Sequence, residues 1–317
     1  MKWFRSIKTR LARRDEDPRL TVATFGKHPA FPDHIESGIG TMTPAIRAFK
    51  QRFYNNGIKP LIDSGAWRDK PEERLLPEFD HQFVALSDSE ILVGRFWSSR
   101  DSRGRAEYPF VAVVQAEGVP VHWTVEIADA VQARLRTEVG EAQSESDLQQ
   151  ACRDAQEQLD QALAAMLAAP PATLAPRLSE VIERFFREPA LGPDAIGFRR
   201  ALHMIDDAAA PRARGVPEST LQLRMPRADG NLTSQLVDWS ILLLETLSSE
   251  HAVVAVAPSG HTWIDLLAGS PRPEEFYILR ATPADVSLDS DTPYDLSPDI
   301  EVRWRQRTSS ISPATEE

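Results

Sequence analysis

The 317-residue sequence contains a single cysteine and no long apolar segment. With Cys152 alone, no intramolecular disulfide can form, and a zinc site built on several thiolates is excluded. No segment approaches the ~18 consecutive apolar residues that a membrane span needs. The basic N-terminus is not followed by the apolar segment of ~7–15 residues that is typical of a signal peptide. These absences predict a cytosolic protein.

Acidic residues outnumber basic ones, and the net charge is −11. Residues 1–14 carry +6, which leaves −17 for residues 15–317. A body this acidic repels phosphate backbones, so nucleic acid is not expected as a partner. In residues 1–14, which we call the basic head, basic residues alternate with apolar ones at helical spacing. The head can therefore lie on the inner membrane surface or remain a solvated arm. The residues predicted to contact a membrane surface are Trp3, Phe4, Arg5, Ile7, Lys8 and Leu11.

Runs rich in β-branched and aromatic residues predict strands in both halves of the chain. Three of these runs follow one another closely in the first half, and the turn sequence Ser87-Asp88-Ser89 separates the first two. Short links of this kind predict an antiparallel meander. The predicted strands are at 20–25, 82–86, 91–97, 109–115, 219–225, 251–257 and 263–267.

Helix signals are strongest between residues 123 and 247. Thr43 before Pro44 predicts the N-terminus of an earlier helix, which is expected to end at residues 56–57 and to be followed by a loop at 59–80. Ser144 opens a capping-box-like SESD sequence before a long alanine-rich helix. The remaining predictions are helices at 124–139, 176–187 and 193–208, a loop at 208–217 and a helix capped by Asn231.

Together these patterns predict an α+β (mixed α/β) fold. Its first half would be an antiparallel sheet meander flanked by helices, and its second half would be rich in helices with additional strands. The predicted organisation is a basic arm at 1–19, an α/β region at 20–122, a helix-rich α/β region at 123–304 and a disordered tail at 305–317. Whether the two middle regions are separate domains stays open.

The segment GKHPAFPDHIE, residues 26–36, concentrates side chains that can bind metal. His28 and His34 are six residues apart with Pro29 and Pro32 between them, so the segment can be neither a helix nor a central strand. The spacing therefore gives no support for a metal site. A metal-dependent hydrolase remains the alternative, and its candidate residues are His28, Asp33, His34, Asp80 and His81.

Residues 94–110 (GRFWSSRDSRGRAEYPF) interleave arginines with aromatic residues. Such a pattern can stack on single-stranded nucleic acid. Asp101 and Glu107 interrupt it, however, and the body of the chain is acidic. The favoured interpretation is a connection between strands whose arginines pair with nearby carboxylates. The arginines are Arg95, Arg100, Arg103 and Arg105.

Two short motifs resemble a known family. FGKHP at 25–29 followed by Asp33 matches the form F-G-K-x-P-x-x-x-D. DSRGRAEYPF at 101–110 matches D-x-x-G-R-x-x-F/Y-P-F/L. In this order, the two motifs resemble type VI secretion-associated proteins of the TagF/ImpM family. A weaker similarity follows at TWID, 262–265, and PEEF, 273–276.

The chain departs from the family pattern at several positions. His34 stands where an aromatic residue is usual, and Phe31-Pro32 replaces a small residue and a glycine before Asp33. The helical stretch at 123–210 is longer than expected, which points to a divergent member.

The resemblance implies a non-enzymatic, cytoplasmic regulator without cofactor or metal, which restrains assembly of the secretion apparatus after translation. Its partner would be an apparatus component such as a forkhead-associated scaffold protein. Gly26 would turn the strand and Pro29 would fix the loop. We expect Asp33 and Arg105 to form an ion pair between the motifs, and an equal alternative is that both side chains face a partner. A structural adaptor unrelated to secretion, docking through 123–210, is a further alternative. The implied motif or partner-binding residues are Gly26, Lys27, Pro29, Asp33, Trp67, Arg103, Gly104, Arg105, Tyr108 and Pro109.

Overall fold

In the part of the chain that the structure describes, eight antiparallel strands form one open sheet in the order β2-β1-β5-β4-β3-β7-β8-β6. The structure is a computed structural model, and it describes residues 17–87, 90–105, 108–169, 178–191, 196–213, 220–247, 252–291, 296 and 298–309. The strands are β1 Arg19–Gly26, β2 Ile35–Gly40, β3 Asp80–Leu86, β4 Ile91–Ser98, β5 Pro109–Glu117, β6 Leu221–Pro226, β7 Val253–Pro258 and β8 Trp263–Ala268.

Helices cover both faces of this sheet. They are α1 Pro44–Phe49, α2 Lys59–Ser64, α3 Val121–Glu141, α4 Glu145–Ala168, α5 Leu178–Phe186, α6 Ile196–Ala213, α7 Leu232–Leu247 and α8 Asp299–Ser309. A π-helix, Lys50–Ile58, connects α1 to α2, and a 3₁₀ helix, Pro273–Leu279, lies near it. The α+β class predicted from the sequence is confirmed, and each predicted strand corresponds to an observed one.

Two hydrophobic clusters lie on opposite faces of the sheet. Helices α3, α4 and α7 pack on one face, where Val84 and Val93 point. Helix α1, the π-helix and the 3₁₀ helix cover the other face, where Phe83 and Phe96 point. Because both faces are buried, a central strand such as β5 reads as a continuous apolar run rather than an alternating pattern.

Strands from both predicted regions belong to the same sheet. β3, from the region 20–122, pairs from His81 to Leu86 with β7, from the region 123–304. Its other edge pairs with β4, which completes the predicted meander together with β5. The boundary near residue 122 therefore does not separate two sheets.

The predicted end of the first helix at residues 56–57 is wrong. The chain stays helical through α2. This helical segment ends at Gly65, which adopts a left-handed φ of 71°. The aromatic ring of Phe276 occupies the place where Gly57 lacks a side chain, 2.8 Å from an ideal Cβ position. A tertiary contact thus holds the glycine inside a helical segment, and the loop predicted at 59–80 begins only after α2.

Three other boundaries differ from the sequence prediction. Helix α3 passes Gly140 and ends at Glu141, and α6 extends through the first part of the loop predicted at 208–217. The tail predicted as disordered from residue 305 is helical to Ser309 in α8, which buried Trp304 anchors through an indole hydrogen bond to Asp206. Residues 214–219 and 310–317 lie outside the described residues, as do residues 88–89 of the predicted hairpin turn.

Strand β2 was not predicted. It lies at the edge of the sheet and pairs with β1 through an irregular register. Its sequence, IESGIG, has two glycines with positive φ, Gly38 and Gly40, and little β propensity. The partner strand therefore determines its conformation.

Candidate functional site

The two motifs that carry the family resemblance lie side by side at one end of the sheet. β1 and β5 are antiparallel neighbours, and Gly26 at the end of β1 is opposite Phe110 near the start of β5. The loop 27–34 that follows β1 and the loop 99–105 that leads towards β5 are therefore adjacent. We call these two loops the two-loop surface.

Hydrogen bonds and an ion pair join the two loops. The backbone N–H of Ser102 donates to the carbonyl of Phe31 over 2.8 Å, and Arg105 Nη2 donates to the carbonyl of Pro32 over 2.9 Å. Arg105 Nη2 also lies 3.3 Å from Asp33 Oδ1. The expected ion pair between Asp33 and Arg105 is thus present, between side chains that are 63% and 47% exposed.

Beneath this exposed pair, Lys27 and Asp101 form a buried one. Lys27 Nζ lies 3.2 Å from Asp101 Oδ2, and the side chains are 4% and 0% exposed. Asp101 Oδ1 accepts from the backbone N–H groups of Arg103 and Arg105, and Oδ2 accepts from Arg105 Nε at 2.7 Å. One carboxylate therefore fixes the backbone of the arginine loop and also orients the side chain that reaches Asp33.

Asp101 remains ionised over the whole physiological pH range. Burial by itself would raise the pKa of Asp101, but the hydrogen bond from the Arg105 backbone N–H and the ammonium group of Lys27 lower it to about 2. Two further contacts fix the position of the Lys27 ammonium group beside Asp101. It donates to the Arg105 carbonyl at 3.2 Å and lies over the Tyr108 ring.

Glycines allow the close approach of the loops. Gly26 has a φ of 114°, and a Cβ atom there would lie 2.3 Å from the carbonyl oxygen of Pro109. Gly26 therefore combines a backbone conformation and a close backbone contact that a residue with a side chain does not tolerate. Gly104 has a φ of 79° and donates its N–H to the Asp101 carbonyl at 2.9 Å, but no atom lies within 4 Å of its missing Cβ.

Aromatic side chains support one flank of the surface. His34 meets the ring of Tyr108 edge-on, with centroids 4.7 Å apart, and it also contacts Tyr54. Burial, followed by the nearby charge of Lys27, lowers the pKa of His34. The Tyr108 hydroxyl hydrogen-bonds to Asp63, and the Tyr54 hydroxyl donates to the Pro109 carbonyl at 3.0 Å. His34, which replaces an aromatic residue of the family pattern, keeps an aromatic environment.

Other predicted motif residues belong to the core rather than to the surface. Trp67 is buried against Phe79, stacks on Tyr277 and donates its indole N–H to the Tyr277 carbonyl at 3.1 Å. Asp265, from the TWID motif, forms a buried bidentate pair with Arg224. These residues stabilise the packing and are not brought to the two-loop surface.

The candidate metal ligands have other partners. His28 Nε2 hydrogen-bonds to the Val139 carbonyl at 2.8 Å, and its Nδ1 accepts from the Ala30 N–H at 3.1 Å, so the neutral ring has no lone pair left for a metal. Burial lowers the pKa of His81 to about 3, and this ring stacks on Phe96. Asp80 pairs with Arg136 at 2.6 Å. Within the described part of the chain, no group of three or more potential ligands is arranged to hold a metal ion.

The four arginines of the interleaved segment divide into two classes. Arg95 pairs with Asp129 at 3.0 Å, and Arg105 pairs with Asp101 and Asp33. These pairs fit the interpretation that local carboxylates neutralise the arginines. Arg100 and Arg103 are exposed, and their guanidinium groups form no ion pair with any residue in the described ranges.

The predicted membrane-contacting residues lie outside the described residues, which begin at residue 17. No helix among the described residues combines the length and apolar character needed to cross a bilayer.

No protein-family model matches the chain, and no curated protein matches it. The resemblance to the TagF/ImpM family therefore stays a prediction.

Proposed function

We propose that this protein is a non-enzymatic accessory protein of type VI secretion, similar to TagF/ImpM proteins. It restrains assembly of the secretion apparatus by binding one of its components through the two-loop surface, and a forkhead-associated scaffold protein is our candidate for that component. The observation that carries the proposal is the ion pair between Asp33 and Arg105, because it joins the two motifs on which the resemblance rests.

The energetics of the site favour binding over stability as the reason for its charges. A buried ion pair such as Lys27–Asp101 contributes little to stability compared with well-packed apolar side chains, because desolvation offsets much of the attraction. The main effect of the pair is to keep the exposed loops above it in one conformation. Loops that are already ordered lose less conformational entropy when a partner binds, so this arrangement favours affinity.

The same contacts argue against proton-transfer chemistry at this surface. Lys27 and Asp101 are paired with each other and buried, so neither is placed to exchange a proton with a substrate. Asp33 is exposed, and hydrogen bonds from the His34 N–H and the Arg105 guanidinium lower its pKa, which makes it a poor base at neutral pH. The hydrolase alternative gains no support from these groups.

A peripheral contact with the inner membrane is a second part of the proposal. The basic head, residues 1–14, carries +6 on a chain whose remainder carries −17, and it alternates basic and apolar residues. It would bring the protein to the cytoplasmic membrane face, where the apparatus is assembled. Flotation of the full chain with anionic vesicles, lost on deletion of residues 1–14, would support this part, and equal flotation of both proteins would contradict it.

Affinity capture from the native host after mild crosslinking tests the main proposal. The wild-type chain is compared with the double variant Asp33→Ala/Arg105→Ala. The matched control is Arg134→Ala/Glu138→Ala, which removes an ion pair between exposed Arg134 and half-buried Glu138 on α3. Circular dichroism and thermal melting first establish that all three proteins are folded.

We expect the wild type and the control to recover components of the secretion apparatus, and the Asp33/Arg105 variant to recover several-fold less. Equal recovery by all three proteins would make the two motifs architectural. Recovery of no secretion component by the wild type would overturn the proposed function and favour an adaptor unrelated to secretion.

A further inference from the structure

We propose that the two-loop surface receives an acidic segment of a partner protein, which Arg100 and Arg103 bind. This inference deepens the proposed function, on which it rests for the existence of a protein partner. It adds the chemistry of the segment that the surface recognises and the two residues that recognise it.

Among the residues that the structure describes, Arg100 and Arg103 differ from the neighbouring arginines in having no partner for their guanidinium groups. Both residues are exposed, and neither forms an ion pair or a side-chain hydrogen bond with a residue in the described ranges. Arg105, on the same loop, is already engaged by Asp101 and Asp33. Two guanidinium groups are therefore available for an external anion.

The backbone that carries these two arginines is held in place from within. Between them lies Asp101, whose Oδ1 accepts the Arg103 N–H at 3.0 Å. The Ser102 N–H is bound to the Phe31 carbonyl at 2.8 Å. Positions three residues apart have Cα atoms at most about 11 Å apart, which one extended segment of four or five residues can span. The loop is thus pre-ordered for a short linear ligand.

The charge of the ligand follows from the arginines themselves. A guanidinium group presents paired N–H donors that match the two oxygens of a carboxylate or a phosphate group. Because residues 15–317 carry −17 in total, a polyanion that extends over the molecule is repelled outside this basic site. A short acidic protein segment fits this local site better than a nucleic acid or an anionic membrane does.

Apolar groups lie beside the arginines. Pro29 and Pro32 are exposed, and Phe31 is half-buried on the adjoining loop. The carbonyls of Phe31 and Pro32 are the groups that bind the arginine loop, so these residues lie directly next to it. A partner segment that combines acidic residues with an apolar neighbour would match both parts of the surface.

Site-specific photocrosslinking tests the inference on the full chain. A photoreactive amino acid replaces Ser102, whose side chain is exposed between the two arginines. After irradiation in the native host, the crosslinked peptide or other molecule is identified by mass spectrometry. The same experiment is done with Arg100→Gln/Arg103→Gln, and with the control Arg47→Gln/Arg52→Gln, which removes two exposed arginines of the α1 and π-helix region.

We expect a crosslinked protein segment with net negative charge, from aspartate, glutamate or phosphorylated side chains, which the mass spectrum distinguishes. The Arg100/Arg103 variant should lower the crosslinking yield about fivefold, and raising the salt concentration in a lysate should lower the wild-type yield, because exposed charge pairs are screened. The Arg47/Arg52 control should give the wild-type yield.

A neutral or basic peptide, a lipid, a nucleic acid or no specific crosslink would overturn the inference. A yield that the Arg100/Arg103 variant leaves unchanged would also overturn it. The identity of the crosslinked protein is a separate result. An acidic segment from a protein unrelated to secretion would support the binding chemistry and contradict the proposed function.

Discussion

Asp101 is the residue on which the geometry of the two-loop surface depends most. Its carboxylate is buried and accepts hydrogen bonds from Lys27, from the Arg105 guanidinium and from two backbone N–H groups. Losing this side chain leaves Lys27 without its counter-charge and frees the arginine loop. The exposed pair of Asp33 and Arg105 contributes little by itself, because solvent screens it.

The pH dependence of stability tests the role of Asp101. Its pKa in the folded protein is about 2, below the ordinary value of 3.8. A carboxyl group whose pKa is depressed by folding contributes stability above its unfolded pKa and loses it as the pH falls towards the folded value. We therefore expect wild type to be more stable than Asp101→Asn by a constant margin from pH 7 to pH 5, and by a shrinking margin from about pH 4 downwards.

Urea unfolding of both proteins at each pH measures this margin. Lys27→Met serves as a comparison, because it keeps the hydrogen bonds from Arg105 to Asp101 and should cost less stability than Asp101→Asn at pH 7. A margin that stays constant down to pH 3, or a Lys27→Met variant less stable than Asp101→Asn, would contradict this account of the buried pair.

Two glycines with positive φ are expected to differ in their tolerance of alanine. At Gly26 a Cβ atom would collide with the backbone of Pro109 at 2.3 Å, whereas at Gly104 it would meet open space. Gly104→Ala should lower the free energy of unfolding by about 1–2 kcal/mol, which is the usual penalty for a residue with a side chain in a left-handed conformation. Gly26→Ala should lower the free energy of unfolding by at least about 1 kcal/mol more than Gly104→Ala does, because the backbone of Pro109 must also move. Urea unfolding compares the two, and equal losses would refute the close approach at Gly26.

At the residue scale, the sequence predicted one ion pair and missed the other. Asp33 and Arg105 were paired because the resemblance identified two motifs that share a surface. Lys27 and Asp101 were not, because a lysine and an aspartate in loops are usually exposed, and only the tertiary structure buries them together. The sequence signals for Asp101 were its position at the start of the second motif and its place among the arginines, and neither signal pointed to Lys27.

Among the secondary-structure elements, the helix N-termini were the most predictable features. The side chains of Thr43, Ser144 and Asn231 each accept the backbone N–H expected of an N-cap. These bonds connect residues three apart in the chain, so a single sequence contains the whole interaction. The predicted caps are therefore confirmed.

The capping box of α4 gives a prediction at the element scale. Ser144 accepts from the Asp147 N–H, and the Asp147 carboxylate accepts from the Ser144 N–H at 2.9 Å. Ser144→Ala should lower the free energy of unfolding by about 1 kcal/mol. The control is Ser146→Ala, which changes an exposed serine in the first turn of the same helix. If both variants lose the same stability in urea unfolding, the cap has no special role.

The elements that the sequence did not predict depend on distant partners. Among the described strands, β2 pairs with β1 alone, and glycines interrupt it, so its own residues contain little strand signal. The continuation of the first helix through Gly57 depends on the Phe276 ring, which comes from the other end of the chain. Local sequence patterns do not contain information on such distant contacts. For this reason the predicted end of the first helix, at residues 56–57, lies too early in the chain.

On the scale of the whole molecule, the pairing of β3 with β7 makes the two sequence regions one structural unit. Val84 in β3 lies opposite Ala255 in β7, and both are buried. Removing either region would expose a long apolar strand edge. The sequence predicted the strands and their class, but the order in which distant strands pair could not be deduced from local patterns.

Hydrogen exchange tests this unity. We expect the amide protons of β3 and β7 to exchange through the same opening, with free energies that agree within about 1 kcal/mol and fall together as denaturant is added. Mass spectrometry or NMR on the full chain measures both strands in one experiment. Exchange of β7 through a separate opening of much lower free energy would indicate two independent units.

The central claim is that the protein restrains type VI secretion through the two-loop surface, and effector release from the native host tests it most directly. A strain that lacks the protein is complemented with wild type, with Arg100→Gln/Arg103→Gln or with the Arg47→Gln/Arg52→Gln control, all at equal cellular levels. The account predicts that release rises in the strain without the protein, and that wild type and the control restore restraint while the Arg100/Arg103 variant does not. Release that is the same with and without the protein would contradict the account.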